Sequence, residues 1–220
     1  MKKFDLVIFD LDGTLFDTKN SILSSVEIAA KNNGFHELSE DDKKVFLGPP
    51  LDYSIPKVFN TDVEMTNKMI DEYRKVYFET EMYKTNLYDG ILSLLNKLKS
   101  NNYKVALSTY KSQKCLKNLF DYFDITKYFD CLNGTTEHED DKTNILKRSM
   151  EMTGCNDPEK VVMVGDTEHD LKAAIKIVCY FIGMTYGFGY NNLTDEDKNY
   201  NKILCYLDDA NKIFNYIDNN

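Results

Sequence analysis

A net charge of −9 over 220 residues argues against general affinity for nucleic acid or anionic membrane, so an anionic substrate would need positive charge supplied locally by its site. An apolar fraction of 42% is ample for a packed core and excludes global disorder. The five cysteines (Cys115, Cys131, Cys155, Cys179, Cys205) form no CxxC pair, which argues against a zinc site or disulfide framework and for small buried hydrophobes.

The chain opens with the apolar run FDLVIF (4–9), which ends in the acidic stretch FDLDGTLFD (9–17) carrying Asp10, Asp12 and Asp17. Asp5 and Asp10 interrupt any signal-peptide core, and no apolar run reaches membrane-spanning length, so the protein reads as cytoplasmic and soluble. From about Thr18 to Asn86 no convincing strand follows. Residues 19–33 suggest an amphipathic helix, and residues 64–82 place Met65, Met69, Ile70, Tyr73, Val76 and Tyr77 at helical spacing, as helix packing requires. Gly48-Pro49-Pro50 marks a break between helices. This block reads as an inserted all-helical cap, 18–84, leaving 1–17 and 85–220 as the core.

In the core, helical patterns at 89–101, 112–121, 142–153 and 167–176 alternate with β-rich runs at 103–109, 129–133, 161–164, 178–182 and 202–207. Several of these runs are too apolar to have a wet face, which suits strands buried on both sides. The alternation predicts an α/β fold with a doubly wound, Rossmann-like parallel sheet.

In such a sheet ligands bind outside the carboxyl ends of the strands. The first strand delivers Asp10 and Asp12 there. The second delivers Ser108, Thr109 and then Lys111, and VVMVGDTEHD delivers Asp166 and Asp170. Lys142 opens the helix before that last strand and is able to point to the same rim. Each element alone has a plain explanation as a turn, a helix cap or a solvated lysine. Their joint occurrence in order at strand ends points to phosphoryl chemistry. Asp10 is placed as a nucleophile toward phosphorus, and Asp12 as the acid and base for the leaving oxygen and the hydrolytic water. Charges so close require a cation, and oxygen ligands without His or Cys favour Mg²⁺, with Asp166 completing its coordination. Thr109 and Lys142 would hold the phosphoryl oxygens. His36, His138 and His169 form no metal set, and a surface or hydrogen-bonding role is expected of His169.

Asp10-Leu-Asp12-Gly-Thr-Leu, Thr109, Lys142 and Gly165-Asp166-Thr-Glu-His-Asp170 together resemble the four motifs of the haloacid dehalogenase superfamily, in its phosphatase branch, over essentially the whole chain. The resemblance implies Asp10 as nucleophile and metal ligand, Asp12 as acid/base with its backbone carbonyl on the metal, and Asp166 as metal ligand. It implies that Asp170 orients Lys142 or metal-bound water, and that the cap is of the helical type. VGDTEHDLKAA, GMTYGFG (183–189) and GPPL (48–51) look most like phosphoglycolate phosphatases. Tyr110 departs from the smaller or amide residue of many relatives and is expected to narrow the substrate pocket, and TTEHEDD (135–141) is more acidic than a phosphate site suggests.

The expected enzyme is thus a Mg²⁺-dependent phosphomonoesterase for a small phosphorylated metabolite, with neither nucleic acid nor membrane as partner, in a monomer or dimer. A 5′-nucleotidase, a phosphosugar mutase and an inactive binding module are the alternatives. Residues near Gly48-Pro49-Pro50, with Lys57 and Arg74, are expected to govern which ester is accepted.

Overall fold

The computed structural model describes residues 2–135, 141–190 and 193–219, which fall into two compact units, Met1–Asp17 with Leu87–Asn220, and Thr18–Asn86. Among the described residues no helix is long and apolar enough to cross a membrane.

In chain order the elements are β1 (Leu6–Phe9), β2 (Phe16–Asp17), α1 (Lys19–Asn32), α2 (Glu40–Val45), α3 (Leu51–Phe59), α4 (Val63–Glu79) and β3 (Asn86–Leu87). There follow α5 (Ile91–Ser100), β4 (Lys104–Ser112), α6 (Gln113–Tyr122), β5 (Cys131–Thr135), α7 (Lys142–Thr153), β6 (Val161–Gly165), α8 (Glu168–Ile177) and β7 (Tyr180–Met184). The chain closes with α9 (Asp195–Lys198), β8 (Ile203–Leu207) and α10 (Ile213–Asp218).

Six strands form a parallel sheet in the order β5-β4-β1-β6-β7-β8. The apolar runs are continuous because both faces are covered. Side chains alternate across a strand, so Leu6 and Ile8 join Ala106, Val161 and Met163 under Leu146 of α7 and Leu171 of α8. Val7 and Phe9 join Val105, Leu107, Val162 and Val164 beneath Leu94 and Leu98 of α5 and Leu116 of α6. This is the doubly wound, Rossmann-like architecture expected. The strand order runs outward in both directions from β1, which makes the carboxyl end of β1 the topological switch point, the place where sheets of this kind bind ligands.

Several boundaries differ from the sequence expectation, β5 lying at Cys131–Thr135 and α4 ending at Glu79 among them, and two of the shifts have clear local reasons. The run VCYFI yields a strand only from Tyr180, because Val178 takes a left-handed φ of 66° in closing α8. β4 continues three residues past Thr109, with its pairing to β5 shifting register between Ser108 and Ser112, so Tyr110 and Lys111 remain on the strand.

The helical unit packs α1 against α4, and α3 against α4. Met69, Ile70, Tyr73 and Tyr77 of α4 are buried, as their spacing suggests, and Ile22, Leu23, Val26, Ala29 and Ala30 of α1 are buried too. The Gly48-Pro49-Pro50 break separates α2 from α3, with Gly48 at φ 110° and Pro50 capping α3. Of the acidic stretch 135–141, Thr135 ends β5 and Asp141 caps α7, while residues 136–140, His138 among them, lie outside the described residues. The five cysteines are all free thiols, four of them buried.

Candidate active site

Asp10 leaves the end of β1 with its backbone N–H donating to Val164 O at 2.9 Å, so the sheet ladder still holds it. Thr109 on β4 and Asp166 after β6 flank it from the neighbouring strands. Lys142, the first residue of α7, is 4% exposed and reaches both Asp10 Oδ1 at 2.5 Å and Asp170 Oδ1 at 2.8 Å. The structure therefore brings Asp10, Lys142, Asp166 and Asp170 into one buried cluster, in which oxygens of the three carboxylates lie within 4.8 Å of one another.

One ammonium among three buried carboxylates leaves negative charge uncompensated. Burial, with Asp170 and Asp12 adding repulsion and Lys142 opposing, pushes the Asp10 carboxyl up to about 7. Burial and the Asp10 and Asp170 charges also push Asp166 well above the usual carboxylate range. Burial alone would lower the Lys142 ammonium, but Asp10 and Asp170 outweigh it and raise it, so Lys142 stays charged. A hard divalent cation fits this cluster: the donors are all oxygen, and the charge deficit is what such an ion would offset.

Asp166 is held more tightly than any sequence reading suggests. Thr14 donates its hydroxyl to Oδ1, and the Phe188 backbone N–H donates to Oδ2, both at 2.7 Å. A Cβ on Gly13 (φ +82°) would lie 2.1 Å from Asp166 Oδ2, and one on Gly187 2.3 Å from the same atom. The glycines of the 11–16 turn and of GMTYGFG are thus needed so that two loops can close on one carboxylate. Asp170 divides its oxygens: Oδ1 faces Lys142, and Oδ2 accepts from Thr167 N and Oγ1 at 3.1 and 2.8 Å at the start of α8.

Asp12 stands apart from the three-carboxylate cluster. It lies on the tight turn in which the Leu15 and Phe16 amides both donate to Leu11 O, and its Oδ1 is 3.3 Å from the ammonium of Lys111. Lys111, named at the rim from the sequence without a role, is therefore the counter-charge of Asp12. Thr109 is buried, its Oγ1 accepting the Lys111 N–H at 3.3 Å. Tyr110 is half-buried, and burial raises its phenol, keeping the hydroxyl protonated. That hydroxyl accepts from Lys142 N at 3.2 Å, and the Tyr110 and His169 rings make a T-shaped contact with centroids 6.0 Å apart. The signals for the residues not singled out from sequence were thin. Thr14 sits inside the DGT triplet, whereas Phe188 acts through its backbone and leaves no trace in residue type.

Residues 7–184 match the family model of haloacid dehalogenase-like hydrolases. A 5′-nucleotidase of Pseudomonas aeruginosa is 28% identical over 192 residues, covering 85% of each chain. A phosphoglycolate phosphatase of Aquifex aeolicus is 30% identical, covering 76% of this chain and 78% of its own length. The crystal structure of a predicted phosphatase from Clostridium acetobutylicum superposes with a TM-score of 0.86 at 29% identity, over 97% of this chain and 98% of that one. With a model match spanning most of its length, the chain belongs to the haloacid dehalogenase-like hydrolase family.

Proposed function

We propose that this hydrolase is a divalent-cation-dependent phosphomonoesterase acting on a small phosphorylated metabolite through a phosphorylated aspartate. Asp10 supplies the nucleophile: a carboxylate oxygen bonds to phosphorus as the P–O bond to the leaving alcohol breaks. Asp12 gives its proton to the departing oxygen, then takes one from the water that attacks the acyl phosphate, which releases inorganic phosphate and restores Asp10. Thr109 and Lys142 hold the phosphoryl oxygens, Lys142 meeting charge that spreads in the transition state. Mg²⁺, when bound, would offset the clustered negative charge that otherwise repels a phosphate dianion, held by Asp10, Asp166 and the Asp12 backbone carbonyl, with Asp170 keeping Lys142 in place. The helical unit, Thr18–Asn86, serves as the cap that discriminates between leaving groups.

The observation that carries this reading is Asp10 itself. It is a buried carboxylate at the end of the central strand, with an ammonium in hydrogen-bond contact. The names of the relatives support phosphoglycolate and nucleoside monophosphates as the first esters to try. The test is phosphate release from a panel of phosphorylated metabolites with Mg²⁺, together with acid-quench trapping of label on the protein. Label on wild type but not on Asp10→Asn is expected. Turnover by wild type with label on another residue would overturn the assignment.

A further inference from the structure

Tyr110 touches Lys142 at both ends of that residue. Its hydroxyl accepts the Lys142 backbone N–H at 3.2 Å, and its ring lies 5.6 Å from the Lys142 Nζ. The two contacts have different origins. An N–H in the first turn of a helix has no acceptor within the helix. Asp141, the N-cap, directs its carboxylate to Asn144 N at 2.8 Å, and the Lys142 N–H turns instead to the phenol. At the other end the ammonium lies between Asp10 and Asp170, and the electron-rich face of the ring offers a further site of attraction in a place with little water. The ring also packs against His169 in a T-shaped contact, with 82° between ring planes.

We propose that Tyr110 is a positioning residue that braces Lys142, tying the start of α7 to the end of β4 and holding the ammonium while its other partners change. The proposal rests on the reading of Lys142 as the cation that meets the phosphoryl group. In that reaction Asp10 passes from carboxylate to acyl phosphate, so its attraction for Lys142 weakens during turnover. Asp170 and the Tyr110 ring carry no such change. A four-carbon lysine stem has many rotamers, and a brace that persists through the cycle keeps Nζ aimed at the phosphoryl oxygens. Tyr110 thereby acts on the phosphoryl half of the reaction through Lys142, whichever alcohol leaves.

The experiment compares Tyr110→Phe, which keeps the ring and loses the hydroxyl, with Tyr110→Ala, which loses both, alone and in a Lys142→Ala background. Amide exchange at Lys142 is expected to quicken in both single variants. The kcat for a small aryl phosphate is expected to fall by about threefold in Tyr110→Phe and by about tenfold or more in Tyr110→Ala, with KM changing less. In the Lys142→Ala background, the same Tyr110→Ala change is expected to cost less than about twofold, because the residue it acts through is gone. Should Tyr110→Ala fail to fold, Tyr110→Leu replaces it, filling space without hydroxyl or π face. Unchanged Lys142 exchange, a kcat within about twofold of wild type, or losses that multiply in the double variant would each overturn the brace. Exchange is read without turnover, so an inactive wild type would count against the phosphatase reading and leave this test standing.

Discussion

Thr14 and Asp166 lie 152 residues apart in sequence and are joined by a hydrogen bond of 2.7 Å that is buried from solvent. The hydroxyl fixes one carboxylate oxygen while the Phe188 N–H fixes the other, so Asp166 arrives at the cluster already oriented. With Asp166 as the proposed metal ligand, partners of this kind are commonly worth about 10- to 100-fold in metal affinity. Thr14→Val keeps the shape and removes the donor. We expect the Mg²⁺ concentration for half-maximal activity to rise by about tenfold, with kcat at saturating Mg²⁺ little changed. A Mg²⁺ titration of both proteins checks this, and equal midpoints would leave Thr14 without the role.

The electrostatics of the cluster make a separate prediction for cation-free protein. Asp10 has a native pKa pushed up to about 7, against an ordinary carboxylate value in the unfolded chain. Between those values the native state binds more protons than the unfolded one, so stability falls as pH rises through the window. Asp166 is shifted in the same direction, and Lys142 stays charged throughout. The loss from Asp10 alone is on the order of 4 kcal/mol at most, at 1.36 kcal/mol per pKa unit. Denaturant melts in chelator from pH 4.5 to 7.5 should show declining stability, and millimolar Mg²⁺ should restore much of it near neutrality. A flat profile in chelator would show that the cluster is not strained by its own charge.

Asp12 is distinguished from Asp10 by what it faces. Its carboxylate meets Lys111 at 3.3 Å on the turn after β1, outside the group of three buried carboxylates. We expect Asp12→Asn to bind phosphate and cation as before and to lose a factor on the order of 10² to 10⁴ in rate, the usual worth of a general acid and base. The loss should be steepest for alkyl phosphates, whose leaving oxygen needs a proton, and mildest for nitrophenyl phosphate. Equal losses for the two would remove Asp12 as proton donor.

How much of this was legible depended on the kind of force involved. The sheet could be read because strands buried on both faces must be apolar throughout, and Leu6 to Phe9 and Val161 to Val164 are. Asp10, Lys142, Asp166 and Asp170 could be located because each lies just past a strand end or in the first turn of a helix that the alternation marks, whereas Thr109, which ends the run 103–109 in the sequence, lies inside β4. The helix α2 had no apolar stripe to reveal it: none of its six residues is buried, and only the cap, with Ser39 Oγ accepting from Asp42 N at 3.2 Å, signals its start. The bond between Tyr110 and Lys142 depends on β4 running past Thr109 and on a register shift against β5, both settled by tertiary pairing. The hold of Phe188 on Asp166 is made by backbone and is invisible to residue type, although the glycine density of GMTYGFG was its indirect sign.

Selection among substrates is expected to lie outside the core cluster, because Asp10, Thr109 and Lys142 would address a phosphoryl group that every candidate ester shares. The helical unit carries two cations singled out from the sequence. Lys57 on α3 is exposed, with Nζ 3.0 Å from the Tyr53 hydroxyl and 5.0 Å from its ring centroid. Arg74 on α4 is 3.8 Å from Asp71, one turn earlier on the same helix. Exposed pairs of this kind contribute little to stability, so replacing either cation should leave the fold intact. If the natural ester carries a second anion, as phosphoglycolate does, one of these cations is its expected contact. Lys57→Ala or Arg74→Ala should then cost about 1.5 to 3 kcal/mol of transition-state binding for the ester with the second anionic group, the worth of a charged hydrogen bond, or roughly tenfold or more in kcat/KM. Nitrophenyl phosphate, which offers no second anion, should be nearly unaffected. The ratio of kcat/KM values between the two substrates is the quantity to follow, since it cancels any general loss of active protein. A ratio unchanged in both single variants and in the double variant would assign discrimination to other residues, while leaving the chemistry of Asp10 and Asp12 untouched.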